Sequence, residues 1–282
     1  LDTPIAIDPG QGSPIWRPGA DGGHGWGLIT ARKALENSRN LASVRMLYDL
    51  GIPSVEKTAQ DFDIYKSISN YASALGAQET TDLRLTTAYS MLANGGYRIY
   101  PTFIDSIETS DGNIVAQRPA IDTKNIVADP LSVARITSVL QGVVKHGTAY
   151  RALGKIDTAI AGKTGTSNDN VDAWFVGYTP QLAIGVHIGF DKPEPLGKYE
   201  FGGLAAAPVF GDIINKLPEK FKEKEFSLPE NMEKVQVDPI SGNIVKRGGD
   251  ENIIYKENVS NNSVKENAQS DEDINENNSD QD

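Results

Sequence analysis

Lys163-Thr164-Gly165 lies inside the run Ala161-Gly162-Lys163-Thr164-Gly165-Thr166-Ser167, whose small and β-branched residues suit a strand. On a strand alternate side chains share a face, so Thr164 and Thr166 point one way and Lys163 the other. Two hydroxyls can hold a substrate carboxylate, Lys163 adds positive potential beside them, and Gly165 lets a ligand approach the backbone without meeting a Cβ. On an edge strand the N–H of Thr166 could donate to a developing oxyanion, and one such donor is worth about 3 kcal/mol of barrier. This set suits an enzyme that grips a carboxylate beside an acyl-serine centre. Taken alone, the triplet is equally compatible with an ordinary strand. A phosphate loop is the rival, since Gly162-Lys163-Thr164 matches the end of that motif, but the first glycine it requires falls on Asp157.

A second element is Ser38-Arg39-Asn40, between two expected helices, where a hydroxyl and an amide two residues apart can project together into a cleft. Ser38 can relay a proton and Asn40 can hold substrate amide groups. Ser38 can equally serve as a turn-forming or capping serine before Leu41. Ser241-Gly242-Asn243 and Ser260-Asn261-Asn262 share the pattern, but the first falls in an expected turn and the second in an expected disordered tail. A serine acyl-transfer enzyme also needs a nucleophile in Ser-x-x-Lys. The one match, Ser54-Val55-Glu56-Lys57, follows Ser38 by 16 residues and reads as a chance match on a solvated helix.

These residues need elements to position them. Residues 1–27, rich in Gly and Pro, read as an ordered winding segment with few regular elements. Residues 30–145 are mostly helical. Thr30 caps a helix to Asn37, a second runs from Leu41 with Leu41, Val44, Leu47 and Tyr48 on one face, and Gly51 and Pro53 stop it. Thr81 opens a helix carrying Leu83, Ala88, Met91 and Leu92 that ends at Asn94-Gly95-Gly96. A hairpin turns at Ser110-Asp111-Gly112-Asn113. Asp129 and Pro130 start a helix with a buried stripe of Val139, Leu140, Val143 and Val144. From Thr158 the period becomes strand-like: Thr158–Thr166, Ala173–Tyr178 and Leu182–Phe190 predict an antiparallel meander, followed by a helix from Ala205 to about Leu217. The fold class is therefore α+β, an antiparallel sheet covered by helices.

Composition narrows the partners. The 282 residues carry a net charge of −11, which argues against nucleic acid, and no run approaches membrane-spanning length. Cysteine is absent, and His24, His146 and His187 lie far apart without ligand spacing, so neither a disulfide nor a metal is expected. Residues 218–250 are charged and Pro-punctuated, with a turn at Asp238–Asn243. Residues 251–282 hold nine acids and two lysines and predict a disordered tail.

Taken together, Leu35–Ile52, Ala74–Pro101 and above all Val143–Gly211 resemble the transpeptidase domain of class A penicillin-binding proteins, the bifunctional peptidoglycan synthases. The resemblance rests on Gly147-Thr148-Ala149, Ala161–Thr166, Asp172–Pro180 and Gly202-Gly203 with Ala206-Ala207-Pro208, in that order, and on the 125 residues from Ser38 to Lys163. It covers residues 1–217, with weaker likeness to 250, and implies a penicillin-binding, serine β-lactamase-like fold. It further implies attack on the D-Ala-D-Ala end of a peptidoglycan stem peptide, acyl transfer to an amine on an acceptor strand, trapping by β-lactams, and no cofactor. On this sequence Ser38 becomes the proton relay and Asn40 the amide clamp. Lys163 becomes the electrostatic partner, Thr164 and Thr166 the carboxylate grip beside Gly165, and Thr166 N–H half of the oxyanion hole. The resemblance places the protein on the periplasmic face of a bacterial cytoplasmic membrane. The nucleophile segment, the first sheet strands and a membrane-anchored glycosyltransferase domain are expected upstream of Leu1, leaving this chain inactive alone. Alternatives are a non-catalytic peptidoglycan-binding module and a serine D,D-carboxypeptidase or β-lactamase relative.

Overall fold

The structure, a computed structural model, describes residues 1–8, 14–118, 124–238 and 240–255. The N-terminal segment winds over the surface and is tied down by bridges pairing Asp2 with Gly27 and Ile7 with Trp16. Pro9 and Gly10 of its Gly- and Pro-rich stretch lie outside the described residues. Helices α1 (Ala31–Glu36), α2 (Asn40–Leu50) and α3 (Ile52–Asp61) follow in quick succession. Thr30 Oγ1 accepts the Lys33 N–H at 3.2 Å and so caps α1. Leu41, Val44 and Leu47 are buried on α2, whereas Tyr48 stays half-exposed against the ring of Tyr71. Helix α4 (Asp82–Ala93) starts at the Thr81 cap and stops where Gly95 and Gly96 take φ of 70° and 90°. Strands β1 (Ser106–Glu108) and β2 (Ile114–Gln117) form the expected hairpin.

Helix α5 (Pro130–Lys145) begins with the Asp129 carboxylate accepting the Ser132 N–H at 3.0 Å and proline in the first turn, as its sequence dictates. A short α6 (Tyr150–Leu153) leads into β3 (Ala161–Thr166), β4 (Ala173–Tyr178) and β5 (Ala183–Ile188), an antiparallel meander in the order β3-β4-β5. Helix α7 (Ala206–Lys216) closes this unit. The sheet is covered on both faces. Phe175 meets Phe210 of α7 edge-on at 4.8 Å on one side, and Tyr178 takes a 2.8 Å hydrogen bond with Thr137 of α5 on the other. Leu140, Val143, Leu153, Phe175, Phe210 and Ile214 interlock in one apolar core.

The C-terminal part corrects the sequence reading. Residues 232–255 form a second sheet, β6 (Met232–Val237), β7 (Ile244–Val245) and β8 (Asp250–Tyr255), in the order β7-β6-β8. The turn at Asp238–Asn243 joins β6 to β7 as expected, with Asp238 N–H donating to Asn243 O at 2.8 Å. Residues 251–255, assigned to a disordered tail by composition, instead pair with β6 through their main chain. Ile253 is 2% exposed, and its carbonyl accepts Arg135 Nε of α5 at 3.0 Å. One well-placed apolar residue and a complete ladder outweigh the polar neighbours. The remainder of the expected tail, 256–282, lies outside the described residues.

Candidate active site

Strand β3 is the edge of its sheet, and its register fixes what that edge offers. Ser167 N–H donates to Asp172 O at 3.0 Å, in register with Thr166 opposite Ala173. Antiparallel ladders alternate, so the N–H groups of Thr164 and Thr166 point away from β4, to the outer edge. A cleft of about 540 Å³ opens there, lined by Ser38, Asn40, Thr148, Thr164, Thr166, Asn170, Phe201 and Gly203. Both predicted motifs therefore meet in one place, although 125 residues separate Ser38 from Lys163.

Alternation puts Thr164 and Thr166 on the α7 face and Lys163 on the α5 face; among the described residues β3 has no outer neighbour, so the two threonines line the cleft while Lys163 reaches Ser38 at its wall. Lys163 Nζ donates to Ser38 Oγ at 2.8 Å and to Thr164 O at 3.1 Å. With its oxygen occupied by this donor, the Ser38 hydroxyl hydrogen is directed elsewhere, and the cleft lies beside it. Burial disfavours the charged ammonium and lowers the Lys163 pKa from 10.5 to about 8. An amine titrating so near neutrality can give and regain a proton readily.

Ser38 itself is held at φ 56°, in the left-handed region, which costs a non-glycine residue on the order of 1–3 kcal/mol. The kink separates α1 from α2 and turns Asn40, the first residue of α2, toward the same cleft. Between them Arg39 takes the opposite course. It is 4% exposed, donates to Asp2 Oδ2 at 2.8 Å and to His24 O at 2.8 Å, and lies 4.5 Å from the centre of the Trp26 ring. The triplet thus sends two side chains to the cleft and one to the interior.

The far wall depends on glycine. A Cβ on Gly202 would collide with the carbonyl oxygens of Trp174 and Gly165, and one on Gly203 with Thr148 O. Without them the loop lies flat against β3 and β4, and Gly202 N–H donates to Thr166 Oγ1 at 3.1 Å. That leaves the Thr166 hydroxyl as a donor aimed outward, beside Thr164, whose Oγ1 is 2.7 Å from Thr148 Oγ1. Asn170 fastens the same loop by donating from Nδ2 to Gly197 O at 3.0 Å and Lys198 O at 3.2 Å. A row of hydroxyls, an outward N–H and a neighbouring cation offer donors of the kind that a carboxylate attached to an amide can accept.

Comparison with known proteins agrees with this geometry. The model of the penicillin-binding protein transpeptidase domain matches residues 7–215. The chain belongs to this family. Its curated relatives include penicillin-binding protein 1A of Rickettsia bellii, 36% identical over 88% of this chain and 34% of that protein. Penicillin-binding protein 1A of Neisseria cinerea is 40% identical over 82% and 30%. The chain thus spans about a third of the length of the curated relatives it matches. Among solved structures, penicillin-binding protein 1A from Haemophilus influenzae superposes with a TM-score of 0.77 at 25% identity, over 90% of this chain and 44% of that one. PonA1 from Mycobacterium tuberculosis, in complex with penicillin V, shares the fold with a TM-score of 0.67 at 21% identity, over 87% and 68%.

Of the residues predicted from sequence, Ser38, Asn40, Thr164 and Thr166 line this cleft, Lys163 lies behind Ser38, and Gly165 stands between the two threonines on β3. Ser54 does not line the cleft. It is exposed on α3, and Lys57 pairs with Asp61 at 2.7 Å. Thr148, Asn170, Phe201 and Gly203 line the cleft without having been assigned roles from sequence. Gly147-Thr148-Ala149 and Gly202-Gly203 did carry the family resemblance, so a signal existed for two of them. Asn170 and Phe201 carried no such signal, since neither belongs to a motif that the sequence singled out.

Proposed function

We propose that this chain supplies the substrate cleft of a serine-type D,D-transpeptidase that crosslinks peptidoglycan stem peptides and is acylated by β-lactams. The observation that carries the reading is the 2.8 Å contact from Lys163 Nζ to Ser38 Oγ at the mouth of an edge strand bearing two threonines. In this reading Thr164 and Thr166 hold the terminal carboxylate of D-Ala-D-Ala. Asn40 clamps the donor's amide, and Thr166 N–H receives the oxyanion. The serine of a Ser-x-x-Lys segment gives its proton to that segment's lysine and bonds to the carbonyl carbon. As the C–N bond breaks, Lys163 passes a proton to Ser38 and Ser38 passes its own to the departing amine, which becomes D-Ala. An acceptor amine then takes the acyl group by the same relay in reverse. No step calls for a cofactor. The penicillin V complex of the structurally similar PonA1 supports β-lactams as occupants of such a cleft. A periplasmic location, where peptidoglycan is accessible, follows from the same reading.

The acylated serine of this scheme lies outside these 282 residues, since the single Ser-x-x-Lys is the solvated Ser54–Lys57 pair. The test is a fluorescent penicillin added to this polypeptide and to a longer protein that also contains an upstream Ser-x-x-Lys. Covalent label is expected on the longer protein alone. Label on the 282-residue chain would overturn the assignment of the nucleophile, and label on neither would overturn the transpeptidase reading.

A further inference from the structure

Ser38 is kept in an unfavourable backbone conformation, and the residues beside it explain how. Glu36, at the end of α1, is completely buried. Its Oε1 accepts Arg32 Nη1 at 3.1 Å, and its Oε2 is 3.0 Å from His146 Nε2, just past the end of α5. Arg32 also donates to Ser138 O at 3.1 Å and Ser138 Oγ at 2.7 Å. Gly142 faces the carboxylate, and any Cβ there would collide with Glu36 Oε1. The Glu36 carbonyl accepts the Thr148 N–H at 3.2 Å. One buried residue thus ties α1 to α5 and to the turn that carries Thr148.

A buried ion pair is a weak source of net stability, because desolvation offsets much of its attraction. What a carboxylate held by donors from two helices does supply is a fixed geometry. We propose that Glu36 is a positioning residue for the transpeptidase relay, acting with His146 to hold the end of α1 so that Ser38 Oγ meets Lys163 Nζ. The proposal rests on the reading of Ser38 and Lys163 given above. Glu36 does not line the cleft and acts on acylation only through Ser38.

The experiment is a double-mutant cycle on the rate of acylation by a fluorescent penicillin in the longer, nucleophile-containing protein. A reacting group misplaced by about 1 Å loses on the order of 100-fold in rate. Glu36→Gln is therefore expected to slow acylation by about 10- to 100-fold, but by less than about twofold in a Ser38→Ala background, where there is no hydroxyl left to misplace. His146 is exposed enough to be replaced with little risk to the fold. His146→Ala should slow acylation by about tenfold, and His146→Gln, which keeps a donor toward Glu36, should restore most of it. Equal losses in both Ser38 backgrounds would mark a general structural effect and overturn the proposal, as would wild-type rates in Glu36→Gln and His146→Ala. If Ser38→Ala alone acylated at the wild-type rate, the relay itself would fall, and the proposal with it. Absence of labelling in the unmutated protein would instead identify failure of the transpeptidase reading.

Discussion

Replacing Lys163 by methionine separates what the ammonium does for chemistry from what it does to stability, and the two effects have opposite signs near neutral pH. Burial lowers the Lys163 pKa from 10.5 to about 8, a difference equivalent to about 3 kcal/mol against the charged form. The unfolded chain holds this proton until pH approaches 10.5, whereas the folded chain releases it above about 8. Between those values the unfolded state binds more protons, so the Lys163 contribution makes the fold more stable as pH rises. Below pH 8 the full penalty remains. Methionine has similar length and no charge, so it removes the penalty at every pH. It also removes the donor to Ser38 Oγ and Thr164 O, at a net cost of about 1 kcal/mol each. The variant should then be about 1 kcal/mol more stable than the parent at pH 7 and about 2 kcal/mol less stable at pH 10.5, with the sign reversing between pH 8 and 10. Urea unfolding of both proteins across that range, followed by tryptophan fluorescence, measures the difference. Other lysines titrate in both proteins and cancel. A difference that stays flat from pH 7 to 10.5 would refute the depressed pKa and the proton-relay argument built on it. In the longer protein, Lys163→Met should also lose penicillin acylation while remaining folded.

Two further substitutions test the walls of the cleft. Gly202→Ala forces a Cβ against the carbonyls of Trp174 and Gly165, so it should destabilise by about 1–3 kcal/mol and lower the thermal midpoint by several degrees; an unchanged midpoint would mean that the loop does not depend on close approach to β3. Thr148→Val keeps the shape but strips Thr164 of its 2.7 Å hydroxyl partner. In the longer protein it should weaken the initial, non-covalent β-lactam complex about fivefold, equivalent to about 1 kcal/mol, with little effect on the acylation step. A loss confined to acylation would place Thr148 in the relay rather than in the carboxylate grip.

The parts of this fold that were legible in the sequence are those whose causes are local. Thr30, Thr81 and Asp129 each satisfy a backbone N–H three residues on, so their helices begin where the sequence says they must. The β3-β4-β5 meander follows from the change in period, and β4 spans Ala173–Tyr178 as expected. β6 was hidden because its two buried residues, Met232 and Val237, stand at opposite ends of the strand and on opposite faces, with the largely polar Glu233–Gln236 stretch between them, so no period-2 apolar alternation marks it. β8 was hidden because its few apolar residues adjoin a strongly acidic terminus. In both cases the ladder, a long-range property, decided the structure.

Ser38-Arg39-Asn40 shows the boundary most clearly. Residue types alone nominated Ser38 and Asn40 for chemistry, and the cleft accepts both. What makes them usable is not local. Glu36 reaches His146 across 110 residues, and Arg39 reaches Asp2 across 37. Each contact buries a charge on one side of a strained serine, and neither leaves a periodicity that a single sequence reveals. A charged residue two positions before a candidate relay and another directly after it look solvated until the partners are known. A chemically plausible hydroxyl between helices therefore nominates the group proposed to act, while the force holding it in an unfavourable φ must be sought among buried ion pairs at its flanks. The Ser38 double-mutant cycle bears directly on that division, because Glu36 can influence acylation through the serine only if the strain and the clamp are parts of one device.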